Sequence, residues 1–175
     1  MQPSFCFITG KSYKMNNYGL IRTAAAVPVV KVADTRHNTG EICRMIEEAY
    51  AAKASLVVFP ELCITGATCG DLYRQTMLAK GAEEGIKEIL AASAGKQTAI
   101  VVGAPIPYGS HLYNCSVVIY DGCVKGIVPK VYLSDTDKRT FASGSDFLNA
   151  GTRCDIRYAG QTCRISPALQ FKTGD

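Results

Sequence analysis

Ser55-Leu56-Val57-Val58-Phe59-Pro60-Glu61 is the stretch from which the rest of the chain can be read. Its unbroken apolar run predicts a strand buried on both faces, ended by Pro60, which has no amide hydrogen to give a ladder. Glu61 then stands at the carboxyl end of that strand, where open α/β sheets leave a crevice between loops. A glutamate there is a candidate for chemistry. A loop glutamate can equally cap a helix or pair with a lysine, so the choice needs a partner elsewhere in the chain.

Upstream, Ile42, Met45, Ile46 and Ala49 fall at i, i+3, i+4 and i+7, one apolar face of a helix, and Asn38 followed by Glu41 offers its N-terminal cap. Ile21 to Val30 reads as a first buried strand leaving through Pro28, so the pattern is strand, helix, strand. Downstream, the small-residue loop Thr65-Gly66-Ala67-Thr68-Cys69-Gly70-Asp71 is of the kind that lines sites. Leu78, Ala82, Ile86 and Ile89 mark a second helix ending near Gly95. Thr98 to Gly103 is a further strand, closed by Ala104-Pro105-Ile106-Pro107. Leu112 to Tyr120 and Cys123 to Val128 flank Asp121-Gly122, a pair that favours a type I′ hairpin turn. A weaker hairpin joins Cys154–Tyr158 to Thr162–Ile165 about Ala159-Gly160-Gln161. Residues 1–14 have no periodic face; we expect an extension outside the sheet, with the domain running over 15–175.

The chain has 175 residues, 47% of them hydrophobic and 19% charged, with a net charge of +4, which fits one globular domain. The positive residues are scattered. They form neither the stripe that nucleic acid requires nor a basic amphipathic helix for a membrane surface, and both partners are set aside. The eight cysteines make an even count, yet Cys43 lies in a helical pattern, Cys115 and Cys123 lie in strands, and no pair has C-x-x-C spacing. With only His37 and His111 beside them, no metal site is expected; reduced, buried thiols of a cytoplasmic protein are the simpler reading. Asn114-Cys115-Ser116 matches a glycosylation sequon, which has no meaning in that compartment.

The hairpin's second strand also ends in proline and a charged residue, Pro129-Lys130. Two neighbouring strands would then present Glu61 and Lys130 at one edge, as a salt bridge or as an acid–base pair.

Phe59-Pro60-Glu61-Leu62, Val101-Val102-Gly103, Leu112-Tyr113-Asn114 and Gly126-Ile127-Val128-Pro129-Lys130 together resemble the ordered motifs of the nitrilase, or carbon-nitrogen hydrolase, superfamily. Within it, Tyr18-Gly19-Leu20-Ile21-Arg22, Val32-Ala33-Asp34 and Thr68-Cys69-Gly70-Asp71-Leu72 are similar to the amino-terminal glutaminase domains of bacterial glutamine-dependent NAD synthetases. The resemblance implies part of an α-β-β-α sandwich, roughly its amino-terminal two-thirds, with one sheet edge incomplete and homo-oligomers expected. It also implies a Glu-Lys-Cys triad hydrolysing an amide of glutamine or another small substrate, with Glu61 as acid–base and Lys130 opposing the tetrahedral intermediate. No cofactor is implied here, since ATP would serve a separate synthetase domain. Ser143-Gly144-Ser145-Asp146 lacks the paired glycines of a nucleotide loop. The family's cysteine follows in a Glu-x-Cys-Glu-Asp-like strand end beyond the lysine, which this sequence does not contain, and the segment Asp135-Thr136-Asp137-Lys138-Arg139 looks shortened. The expectation is a glutaminase portion without its nucleophile, inactive alone; the alternatives are a stand-alone amidase or nitrilase and a non-catalytic relative.

Overall fold

The computed structural model describes residues 4–7, 20–149 and 154–171. Strands β1 (Ser4–Phe7), β2 (Thr23–Val27), β3 (Leu56–Val58), β4 (Ala99–Tyr108), β5 (His111–Tyr120), β6 (Cys123–Pro129), β7 (Cys154–Tyr158) and β8 (Gln161–Ile165) form one eight-stranded sheet in the order β1-β2-β3-β4-β5-β6-β8-β7. Helix α1 (Thr35–Ala51) connects β2 to β3, and α2 (Thr76–Ser93) connects β3 to β4; a single turn, α3 (Asp146–Asn149), follows β6. Strands β2, β3 and β4 are parallel neighbours. Right-handed crossovers between them put both helices on one face of the sheet.

That face is the core. The expected helix stripes are buried throughout: Ile42, Met45, Ile46 and Ala49 of α1, and Ala82, Ile86 and Ile89 of α2, pack on Val57, Ile100, Val102, Val117, Ile119 and Ile127 of the sheet. None of the described helices covers the opposite face. Val27 and Val58 are 57% and 40% exposed there, so β3 is buried on one face and not on both. A continuous apolar run cannot distinguish a strand lying under helices on both sides from one whose second face is left open.

Several boundaries differ from the sequence reading, each for a local reason. Ser4–Phe7, expected outside the sheet, pairs antiparallel with β2, Ser4 opposite Val27 and Phe7 opposite Ala24. Four residues are too few for a periodicity to register. Strand β4 runs on through Pro105 and Pro107, because β3 pairs with it only as far as Val101 and leaves no ladder on that side to interrupt. The α1 cap is Asp34, whose carboxylate accepts from the His37 amide at 3.0 Å, and not Asn38. Asn38 is instead fully buried, its side-chain amide donating to the carbonyls of Lys31 (2.8 Å) and Ile64 (2.9 Å) and so tying the loops after β2 and β3 together. Both hairpins turn as expected, with Asp121-Gly122 and Ala159-Gly160 at positive φ throughout. Of the motif Tyr18–Arg22, Tyr18 and Gly19 lie outside the described residues, as do Met15 and the end of the tail.

Gly103 marks a crossing of backbone on backbone. A Cβ built on it would stand 2.4 Å from the Leu62 nitrogen, 2.7 Å from the Pro60 carbonyl oxygen and 2.9 Å from the Glu61 carbonyl carbon. The chain leaving β3 therefore lies directly on the β4 backbone. Gly40, on the exposed side of α1, would meet nothing within 4 Å. We predict opposite signs for one substitution at these two positions. Urea unfolding should find Gly103→Ala less stable by about 1–3 kcal/mol, through overpacking against backbone that cannot move aside. Gly40→Ala should be more stable by about 0.5–1 kcal/mol, through helix propensity.

Candidate active site

Glu61 and Lys130 are brought together, but not from adjacent strands. Strands β4 and β5 lie between β3 and β6, a separation of about 14 Å at the ~4.8 Å spacing of strands. Two features close that gap. After Pro60 the chain turns across the middle of β4, over Gly103, with Leu62 at φ +53° in the left-handed region and its carbonyl accepting from the amides of Thr65 (3.1 Å) and Gly66 (2.7 Å). A buried leucine there is held in a conformation costing on the order of 1 kcal/mol. From the other side, Lys130 leaves β6 with its amide donating to the Asn114 carbonyl of β5 at 2.8 Å, and its long side chain reaches back.

The result is a compact charged cluster on the helix-free face of the sheet. Lys130 Nζ lies 2.8 Å from Glu61 Oε1 and 3.0 Å from Asp137 Oδ2. Asn114 donates its side-chain amide to the same Glu61 Oε1. These groups border a cleft of about 290 Å³ whose floor includes Gly103, Ser116 and Val128, which face each other across β4, β5 and β6. Glu61 is 51% exposed, Lys130 35% and Asp137 22%. The Glu61 carboxylate, and after it Asp137, pushes the Lys130 ammonium above its ordinary value of 10.5, and hydrogen bonding to Lys130 holds Asp137 below its ordinary 3.8.

Two members of this cluster were not singled out as site residues from sequence. Asn114 was read as part of a motif and of an idle sequon; it is in fact buried, its side chain holding Glu61 and its backbone holding Lys130. Asp137 belongs to the segment that looked shortened. That segment nonetheless supports the lysine: Asp137 and Ser134 exchange hydrogen bonds, Asp137 N to Ser134 Oγ at 3.1 Å and Ser134 N to Asp137 Oδ2 at 3.3 Å, at the start of a 3₁₀ turn. Sequence offered Asp135 and Asp137 alike and no means of choosing. Gly144 completes the support. Its amide donates to the Lys130 carbonyl at 2.8 Å, and a Cβ on it would stand 2.8 Å from the Pro129 carbonyl oxygen.

The loop Thr65–Asp71 does not line this cleft. Thr65 and Cys69 are buried, the Tyr73 hydroxyl donates to the Gly66 carbonyl at 2.6 Å, and Cys69, Tyr73, Leu62, Leu78 and Phe141 form a small core of their own. The small residues there serve packing. The seven described cysteines are free thiols. Burial pushes Cys63 up to about 12 and Cys115 higher still. Cys115 borders the cleft through β5, yet it shares the alternation of Val117 and Ile119 and belongs to the core under the helices. No described helix is long and apolar enough to cross a membrane.

Comparison with known proteins bears on this arrangement. The carbon-nitrogen hydrolase family model matches residues 21–152. The glutamine-dependent NAD(+) synthetase of Mycobacterium leprae is 30% identical over 138 residues, 77% of this chain and 20% of that protein. That of Mycobacterium tuberculosis is 30% identical over 167 residues, 93% of this chain and 24% of that protein. The chain thus spans between a fifth and a quarter of the length of these curated relatives. The crystal structure of a glutamine-dependent NAD(+) synthetase from Cytophaga hutchinsonii superposes with a TM-score of 0.77 at 27% identity, covering 87% of this chain and 26% of that one. An amidase from Nesterenkonia sp. shares the fold, with a TM-score of 0.65 at 19% identity over 83% of this chain and 54% of that one. The nitrilase-like α/β architecture is therefore shared with both solved structures.

The two pKa directions set a pH window. Lys130, raised, stabilises the fold fully below about 10.5 and loses that contribution as pH climbs through its folded value; Asp137, lowered, contributes above about 3.8 and loses it as pH falls through its own. Both are partly exposed, so each is worth under about 1 kcal/mol. We predict that Asp137→Asn moves the Lys130 titration, followed by NMR of its ε-methylene, down toward the ordinary lysine value. Glu61→Gln should move it further, because Glu61 is the larger cause. An unchanged Lys130 titration in Asp137→Asn would contradict the cluster.

Proposed function

The chain belongs to the carbon-nitrogen hydrolase family, and we propose that it forms the glutaminase portion of a glutamine-dependent NAD synthetase, hydrolysing the side-chain amide of glutamine to supply ammonia. The observation that supports this most is how the donors and acceptors of the cluster are used. Lys130 and Asn114 both donate to Oε1 of Glu61, which leaves Oε2 without a partner among the described residues. The Lys130 ammonium has three hydrogens, two of them engaged by Glu61 and Asp137. One acceptor oxygen and one cationic N–H thus remain for chemistry at a single cleft.

An amide hydrolysis uses both. Glu61 Oε2 takes the proton of a cysteine thiol, the thiolate attacks the amide carbonyl, and the remaining Lys130 N–H opposes the oxyanion. Glu61 then gives the proton to the departing nitrogen, so that ammonia leaves and a thioester remains. Water, deprotonated by Glu61, cleaves the thioester to the carboxylic acid and restores the thiol. Asn114 and Asp137 act as positioning residues, fixing Oε1 and the ammonium. In this reading the nucleophile is none of the seven described thiols: Cys63 and Cys115 are buried and held protonated, Cys69 donates to the Thr65 carbonyl at 3.0 Å, and none of the other four borders the cleft. The thiol would come from a further strand end, as the family's motif order implies, and the synthetase part and oligomeric assembly belong to the same proposal.

The test is ammonia release from glutamine. The 175-residue chain should release none above buffer. A longer chain in which it continues into the remaining glutaminase segment of a synthetase relative should release ammonia, and Glu61→Gln or Lys130→Met in that longer chain should lower kcat by at least about 100-fold. Ammonia from the short chain that vanishes on Glu61→Ala would overturn the assignment of the nucleophile. An active longer chain indifferent to both substitutions would overturn the roles of Glu61 and Lys130.

A further inference from the structure

The segment that carries Asp137 also walls a second cleft, of about 420 Å³, that the amide chemistry does not use. Three separate pieces of chain meet there: the 3₁₀ turn with Tyr73 and Arg74, the β4–β5 turn with His111, and the stretch with Lys138 and Arg139. Arg74, Lys138 and Arg139 bring three fixed positive charges and His111 a fourth basic group, while no carboxylate among the described residues lines the cleft. The acids nearby lie outside it. Asp71 stands 3.8 Å from Arg74 and Asp135 2.9 Å from Lys138, both almost fully exposed and each an i,i+3 surface pair of small energy. The Arg139 guanidinium has no ion pair among the described residues. The floor is apolar, formed by Leu112, Ala142 and the edge-to-face pair Tyr73–Phe141, whose ring centroids are 5.0 Å apart.

We propose that this cleft binds a phosphorylated small molecule: a phosphomonoester whose phosphate is held by Arg74, Lys138 and Arg139 and whose apolar or planar body lies on the Tyr73–Phe141 floor. A concave wall of one sign focuses potential on an anion, and guanidinium groups take phosphate oxygens in pairs. Three cations exceed what a single carboxylate needs and suit a dianion. The volume falls in the ~300–1,000 Å³ range of small-molecule sites and is far larger than phosphate alone would fill. This goes beyond the amide-hydrolysis reading and stands apart from it, because binding is read without turnover.

Calorimetric titration of the 175-residue chain at fixed ionic strength, with phenyl phosphate, inorganic phosphate and benzoate as probes, tests it. Phenyl phosphate should bind one-to-one and more tightly than either of the other two. Arg139→Gln and Arg74→Gln should each weaken it about tenfold, the loss expected for one charge-assisted hydrogen-bonding partner. Lys125→Gln, which removes the same charge from β6, should change it by less than about twofold. Circular dichroism checks that each variant keeps the fold. No phenyl phosphate binding at millimolar concentration would overturn the proposal. So would equal weakening by Lys125→Gln, which marks diffuse charge, or equal affinity for benzoate or inorganic phosphate, which removes the dianion or the body from the recognition.

Discussion

The close crossing of Pro60–Leu62 over Gly103 is the contact on which the candidate site depends. Without it, Glu61 would end β3 some two strands short of the lysine. The absence of a side chain at Gly103 lets one backbone rest on another, and the left-handed turn at Leu62 then directs the chain back toward α2 while Glu61 projects over β4 and β5. Asn114 meets it from the middle of the gap. Because the Asn114 carbonyl also fixes the Lys130 amide, one buried residue of β5 sets the distance between acid and base. The support on the lysine side has the same character, with Gly144 against Pro129 as Gly103 is against Pro60. Two close backbone approaches, each requiring glycine, hold two side chains from strands that are not neighbours.

This explains which parts of the molecule were legible in its sequence. The helices were, because Ile42, Met45, Ile46 and Ala49, and likewise Ala82, Ile86 and Ile89, repeat over enough residues for a period to emerge, and so was the β5–β6 hairpin, because Asp-Gly suits the positive φ of its turn, while Ala159 at φ +50° left the second hairpin a weaker signal. That Glu61 and Lys130 meet was foreseen from their place after a proline at a strand end, though from adjacent strands, which they are not. What escaped was whatever depends on who the neighbour is. Pro105 and Pro107 look like breakers until β3 is seen to stop at Val101. Asn38 has the residue type of a helix cap but not the position. Asp137 could not be told from Asp135, since only the folded segment shows which carboxylate turns toward Lys130. Ser4–Phe7 is an edge strand too short to announce itself.

The location of the cluster on the helix-free face has an electrostatic consequence. Val58, Val101, Val118 and Val128 share that face with Gly103, Asn114 and Ser116, and none of the four valines is fully buried. The surface is thus apolar beside a pair of charges that water still reaches. Attraction between an ammonium and an oxyanion scales inversely with the effective dielectric, so it grows about fourfold in passing from bulk water at ~80 to the ~20 typical of protein surroundings. The same apolar residues that leave Glu61 and Lys130 half in water are those that would exclude it under a cover. The charged pair and the valine face belong together: Gly103, Asn114 and Asp137 fix the geometry of the candidate site, and under the proposed hydrolysis its strength would depend on how far water is kept from that face.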